Sequence, residues 1–308
     1  MRLHLTIVLG LVGGGASPGW AQVSAPLLGY FPDGGRVRPV LGMAASASVA
    51  KAMEGGEFAR IAAAPGGDFL LVSSAATGEV FVLRPGLGTS AIRGAGIGPD
   101  SISLSPGGAA GALWFAESRR VQLVRGLRQT PEVREIDVAF LGQAPEALAV
   151  SDDGEWLAGA WADGLHAFGP HGEANWLPLE GSRHAVAFFD DSHDVAVATG
   201  RGLFRVIDLG GRAEMRLLLE SAMEPLAVGV AARNRKAVVV EARGRVITLD
   251  LETGSTSSVE CSCSPEGLFG VGRSIFRLTG LKHGAYLLFD ADRGETLFAP
   301  LTAEEVEP

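Results

Sequence analysis

The chain has 308 residues, 47% of them hydrophobic and only 20% charged, with 43 glycines and a formal net charge of −9. This excludes a disordered chain, and the acidic balance excludes the basic footprint that nucleic-acid binding needs. Two cysteines cannot form a disulfide framework, and the glycines point to many tight turns.

Residues 1–21, "MRLHLTIVLGLVGGGASPGWA", read as a secretory signal. Arg2 precedes an apolar stretch from Leu3 to Val12 that is too short to span a bilayer, and Gly19 and Ala21 supply the small residues a signal peptidase selects. Cleavage is expected before Gln22, with a second candidate cut after Ala25. No cysteine follows to take a lipid anchor, and no later apolar run is long enough for a membrane helix. The expected mature chain, 22–308, is therefore an extracytoplasmic single domain, periplasmic or secreted, with no membrane span.

Residues 27–42, "LLGYFPDGGRVRPVLG", form an apparent hairpin around Asp-Gly-Gly. Its position suggests the third and fourth strands of a repeat whose first two are missing. From residue 58 to 300 a repeat is visible six times. "PEALAVSDDG" from Pro145 is its clearest copy, matched from Pro99, Pro225 and Pro265, and more weakly from Phe58 and Arg183. A turn follows at Pro65, Pro106, Asp152, Asp190, Ala232 and Gly272, at intervals of about 41 residues, a period that suits a four-stranded propeller blade.

Each copy continues with a strongly apolar second strand, such as "WLAGAW" or "AVVVEA", then a third strand, a turn rich in Asp or Gly, and a more polar fourth. Continuous hydrophobicity in the second strand predicts burial on both faces, and polarity in the fourth predicts a solvent edge. No segment sustains a 3.6-residue period. The predicted fold is all-β, a β-propeller of four-stranded blades. Its length favours seven blades, the hairpin belonging to an incomplete or closing blade, over six with the hairpin laid on an outer edge.

The repeat alignment also predicts a site. The second position of each copy should lie on one ring at the mouth of the central channel: Ala59, Asp100, Glu146, His184, Leu226 and Glu266. Asp100, Glu146, His184 and Glu266 could hold a hard cation such as calcium, or share a proton for acid–base work. Alternatively, each simply bonds loop backbone or water in a polar funnel. "CSCSPE", Cys261 to Glu266, falls in a loop feeding the same mouth. Cys261 and Cys263 could form a tight disulfide, remain free buried thiols, or serve a soft metal or redox chemistry.

Other features read as turns. "DDSHD", Asp190 to Asp194, sits where other copies have the first hairpin turn, and "DADRG" from Asp290 lacks the remaining ligands of a calcium loop. There is no Gly-x-Ser-x-Gly nucleophile elbow, and "GAGIG", Gly94 to Gly98, has no following helix to make a phosphate loop.

The pattern Pro-acid-x-apolar-x-apolar-Ser-Asp-x-Gly followed by an apolar strand, clearest at Pro145 to Gly154, resembles the YVTN and lactonase-like group of seven-bladed propellers. The Trp-Asp and Gly-His signatures of WD40 repeats are absent. The resemblance implies an architecture and, at most, sugar-lactone hydrolysis or cofactor-independent binding. The favoured function is a non-catalytic exported scaffold, expected to be monomeric, that binds a protein, glycan or envelope component without a cofactor. The alternative is a lactonase-like hydrolase or metal-dependent binder working at the acidic mouth.

Overall fold

The computed structural model describes residues 25–302 except 182, 273 and 281–284. The expected signal segment, 1–21, lies outside them.

Period-2 alternation and left-handed turns fold each of the six visible repeats into a four-stranded antiparallel meander, with strand order following chain order. The first of these repeats comprises Phe58–Ala63, Leu70–Ser74, Val80–Arg84 and Gly88–Ala91. The later inner strands are Ser101–Leu104, Ala147–Val150, Ala185–Phe188, Pro225–Ala231 and Phe269–Gly270. With the N-terminal sheet of Leu27–Asp33, Arg36–Leu41 and Ser48–Val49 there are seven blades. Helix among the described residues is confined to two single turns, Ala44–Ser46 and Ala139–Leu141.

Burial follows the expected gradient. Every residue of the second strands Leu157–Trp161 and Val195–Thr199 is buried, whereas the outer strand Gly88–Ala91 is exposed throughout. Neighbouring blades cover both faces of each second strand. Trp156, Ala158, Ala160 and Leu165 of the fourth blade, for example, pack against Val186, Phe188, Val195 and Val197 of the fifth. Gly159 is required here, because a β-carbon would meet the Trp161 ring at 2.3 Å.

The N-terminal hairpin occupies a different place from the one its sequence suggested. Leu27–Asp33 is the innermost strand of the three-stranded first blade, and it runs opposite to the neighbouring inner strand. Gly35, just past its end, accepts a 2.8 Å bond from the amide of Phe58, where that neighbour begins. At the other end, a β-carbon on Gly67, beyond the neighbour's end, would lie 3.5 Å from the Cα of Gly29. Since strand sense alternates along a meander, this hairpin has the sense of second and third strands, and the first blade has no inner first strand among the described residues. The hairpin belongs to the ring rather than lying on its outside, so the six-blade alternative is excluded.

The seam joins the two ends of the chain. Phe31, Val40, Ala47 and Val49 of the first blade share a core with Val271, Ile275, Tyr286, Leu288 and Ala299 of the seventh. On the other side, Tyr30 and Val37 pack with Leu70 and Val72 of the second blade. Beyond the last strand, Glu295–Pro300, the chain turns alongside the first blade: Leu301 forms a parallel bridge with Val49, and the Thr302 amide donates to the Val49 carbonyl at 2.9 Å.

Phe31 is 1% exposed, its ring tilted against that of Tyr286 with centroids 4.7 Å apart, whereas Phe298 on the outer edge is 73% exposed. In urea unfolding, Phe31→Ala is expected to cost about 3–5 kcal/mol. Phe298→Ala should change stability by less than about 0.5 kcal/mol. Equal effects would contradict this account of the seam.

Candidate functional site

The aligned second positions of the repeats lie at or before the starts of the inner strands, on the face where the chain enters each of them. The amides of Asp100 and Glu146 donate to the carbonyls of Trp114 and Ala160, at 2.7 and 2.8 Å, the residues paired with Ser101 and Ala147 at the end of each inner ladder, and the Glu266 amide donates to the Leu278 carbonyl at 2.8 Å, upstream of the ladder that begins at Phe269. In the two blades with an apolar residue at this position, the ladder instead shifts register, between Phe58 and Arg60 around Ala59 and between Pro225 and Ala227 around Leu226. A β-bulge there re-aims the strand end.

The side chains do not pool into one cluster. Asp100 Oδ2 accepts from the Ala116 amide at 2.6 Å, tying down the turn after its own second strand. Glu146 reaches the next blade, where Oε2 lies 3.0 Å from both the amide and the ring Nδ1 of His184. The His184 side chain is 1% exposed, and its Nε2 is enclosed with no hydrogen-bond partner among the described residues. Glu266 faces Arg277, with Oε2 at 3.8 Å from Nη1. Among the described residues, no group of three or more His, Cys, Asp or Glu side chains is placed to hold a metal ion.

Two further charged residues shape this face. Glu241 ends the apolar strand Lys236–Glu241, where Oε1 accepts from the Glu224 amide at 3.0 Å and from Arg245 Nη2 at 3.0 Å, while Oε2 accepts from Arg245 Nε. The bond from Arg245 holds the Glu241 carboxyl below the usual glutamate range, outweighing burial, with the Glu224 amide assisting. Arg277, in Ile275–Arg277, is buried, its guanidinium 4.3 Å over the Phe269 ring and its Nη1 donating to the Thr279 carbonyl at 3.1 Å. Burial lowers its affinity for a proton, and Glu266 opposes that effect. Both residues were visible in the sequence as charges closing largely apolar second strands.

A shallow cleft of about 250 Å³ opens on this face between the fifth and sixth blades, lined by Arg183, Gly200, Met223, Glu224, Pro225 and Ala242. Cys261 and Cys263 are disulfide-bonded in the loop between the sixth and seventh blades.

The opposite face holds the first hairpin turns, and these are linked around the ring. Asp152 accepts from the amides of Gly107 and Asp191, in the preceding and following blades, at 2.6 and 3.0 Å. Asn234 bonds both the amide and the carbonyl of Asp190, at 2.7 and 2.9 Å. Asp190 to Asp194 is thus a hairpin turn, as its alignment indicated. Asp290 Oδ1 likewise caps the amides of Asp292 and Arg293, just as Asp250 Oδ1 caps those of Glu252 and Thr253 one blade earlier.

No protein-family model matches the chain, and no characterised protein sequence matches it. Solved structures do. Apo AztD from Citrobacter koseri aligns with a TM-score of 0.56 at 12% identity, over 89% of this chain and 83% of that one. The Cps50 (Swd1) β-propeller domain of Myceliophteria thermophila aligns with a TM-score of 0.58 at 13% identity, over 80% of this chain and 88% of that one. At such identities the likeness shows the propeller fold alone, and it does not single out the YVTN and lactonase-like group.

Because the folded-state affinity of Glu241 for a proton is depressed, its contribution to stability is complete above the ordinary glutamate range and is lost as pH falls through the folded value. Glu241→Gln is therefore expected to destabilise the protein by about 1–3 kcal/mol at neutral pH. The gap from the parent should close below about pH 4. A gap of constant size down to pH 3 would contradict this role.

Proposed function

We propose that the protein is a non-catalytic binding scaffold, exported by its N-terminal segment, that presents the loops of its entry face to a protein, glycan or envelope component. The observation that carries this reading is the use to which the mouth residues are put. Asp100 is spent on the Ala116 amide, Glu146 on His184, and Glu266 lies against Arg277. These groups hold loops in place, in the manner of a polar funnel. A general base must reach a substrate proton, directly or through one water, and the enclosed His184 Nε2 has no such access. No resident cofactor is needed for this role. Paired charges at the rim, with Arg183 and Glu224 lining the same shallow cleft, suit a polar partner surface.

The competing reading is a lactonase-like hydrolase or a binder of a divalent cation such as calcium. His184 favours it, because a carboxylate on Nδ1 is how a ligating histidine is oriented, and its Nε2 has no partner among the described residues. Among the described residues, no group of three or more His, Cys, Asp or Glu side chains stands ready to complete such a site.

The scaffold reading predicts no turnover of aliphatic or sugar lactones, with or without calcium, and no calcium-dependent gain in melting temperature. It also predicts that a partner captured by the full chain is lost with the entry-face swaps Arg183→Glu and Glu224→Arg, yet retained with Arg293→Glu on the opposite face. Lactone turnover abolished by Glu146→Gln, or one tightly bound metal ion per chain, would overturn it. So would capture indifferent to all three swaps.

A further inference from the structure

The chain contains two cysteines, and they are bonded to each other across a single intervening residue. No other intramolecular pairing exists for either. A cross-link that closes so short a loop removes little freedom from the unfolded chain, so stapling the fold is a weak account of it. Its surroundings suit chemistry better.

The bridge follows the outer strand Thr256–Glu260 of the sixth blade and precedes the inner strand of the seventh, on the entry face. Ser262, at its apex, is exposed and held in the left-handed region at φ 48°, a conformation a serine adopts at a cost. Cys261 is buried, while Cys263 is only half-buried, so the two residues differ in exposure. The turn beneath is fitted to the pair. The Cys261 amide donates to the Gly244 carbonyl at 2.9 Å, and a β-carbon on Gly244 would meet the Cys263 carbonyl oxygen at 2.7 Å and the Cys261 sulfur at 3.1 Å. Gly244 itself sits at φ 96°. The Cys261 sulfur is thus cradled against the Gly244 backbone, and Cys263, the more exposed residue of the two, packs against the edge of the same core.

We propose that Cys261–Cys263 is a thiol–disulfide exchange site whose substrate is a protein bearing a pair of cysteine thiols. A partner thiolate attacks the Cys263 sulfur, forming a mixed disulfide, and the Cys261 sulfur leaves as a thiolate that takes up a proton. The second partner thiolate then attacks its own partner's sulfur in the mixed bond, releasing the Cys263 thiolate. The partner gains a disulfide and loses two electrons, and the Cys261–Cys263 pair gains them and becomes a dithiol. The reverse sequence reduces a partner disulfide, so the direction follows the relative potentials of the two pairs. This site is separate from the channel-mouth residues and does not depend on how they are read.

The test uses the folded full-length mature chain in buffers of reduced and oxidised glutathione, with alkylation and mass measurement of the free thiols. The bond should open and close reversibly in the native protein at millimolar glutathione, with an unchanged β-sheet spectrum. In single variants, Cys261→Ser, which leaves Cys263, should form the mixed disulfide with oxidised glutathione at least about tenfold faster than Cys263→Ser, following the exposure of the residue. The double serine variant should melt within about 2 °C of the parent. A bond that resists glutathione until the protein is unfolded would overturn the proposal. A double variant that loses its fold would show a structural staple instead, and equal trapping rates would remove the assigned order of attack.

Discussion

The structure depends on a constraint of coverage: a second strand that is apolar on both faces cannot be buried by its own blade. Leu157–Trp161 and Val195–Thr199 are fully buried only because a blade stands on each side. A row of such blades leaves apolar faces at its two ends unless it closes on itself. Closure here falls to the shortest sheet in the ring, whose Phe31 and Val40 meet the seventh blade and whose Tyr30 and Val37 meet the second. The bond from the Thr302 amide to the Val49 carbonyl brings the far end of the chain onto the same sheet.

The polar residues of both faces serve this ring first. On the turn face, Asp152 and Asn234 tie successive hairpin turns to one another. On the entry face, Glu146 reaches across to His184, joining the fourth and fifth blades. Groups that resemble catalytic acids in the sequence are thereby committed to fixing the loops that surround the channel. The Cys261–Cys263 disulfide stands apart from these groups, in the loop between the sixth and seventh blades.

Much of this architecture was legible because the blade repeat is written in two independent signals, alternation of apolar residues and turn chemistry. The alignment of the repeats also matches a local feature of the backbone, since Asp100 and Glu146 share a register at the start of their inner strands. The place of the 27–42 hairpin was not. A period of two reads the same in either direction, so alternation around Asp-Gly-Gly shows a hairpin without showing its sense or its neighbours. Nor could alignment show where the ring side chains point: Asp100 turns to its own blade and Glu146 to the next, although they occupy equivalent positions. The spacing of Cys261 and Cys263 left bonded, free and metal-bound states open, and the left-handed Ser262 and the bare Cα of Gly244 show how the chain accommodates the bonded one.

The central claim, that the short first blade closes a ring held as one cooperative unit, is tested most directly by native-state hydrogen exchange of backbone amides. The amides of Phe31 and Val40 at the seam, and those of Leu288 across it, should exchange with the same free energy of opening as Ala158 and Val197 in the middle blades, close to that of global unfolding. Seam amides that exchange through a separate, lower-energy opening while Ala158 and Val197 stay protected would contradict it.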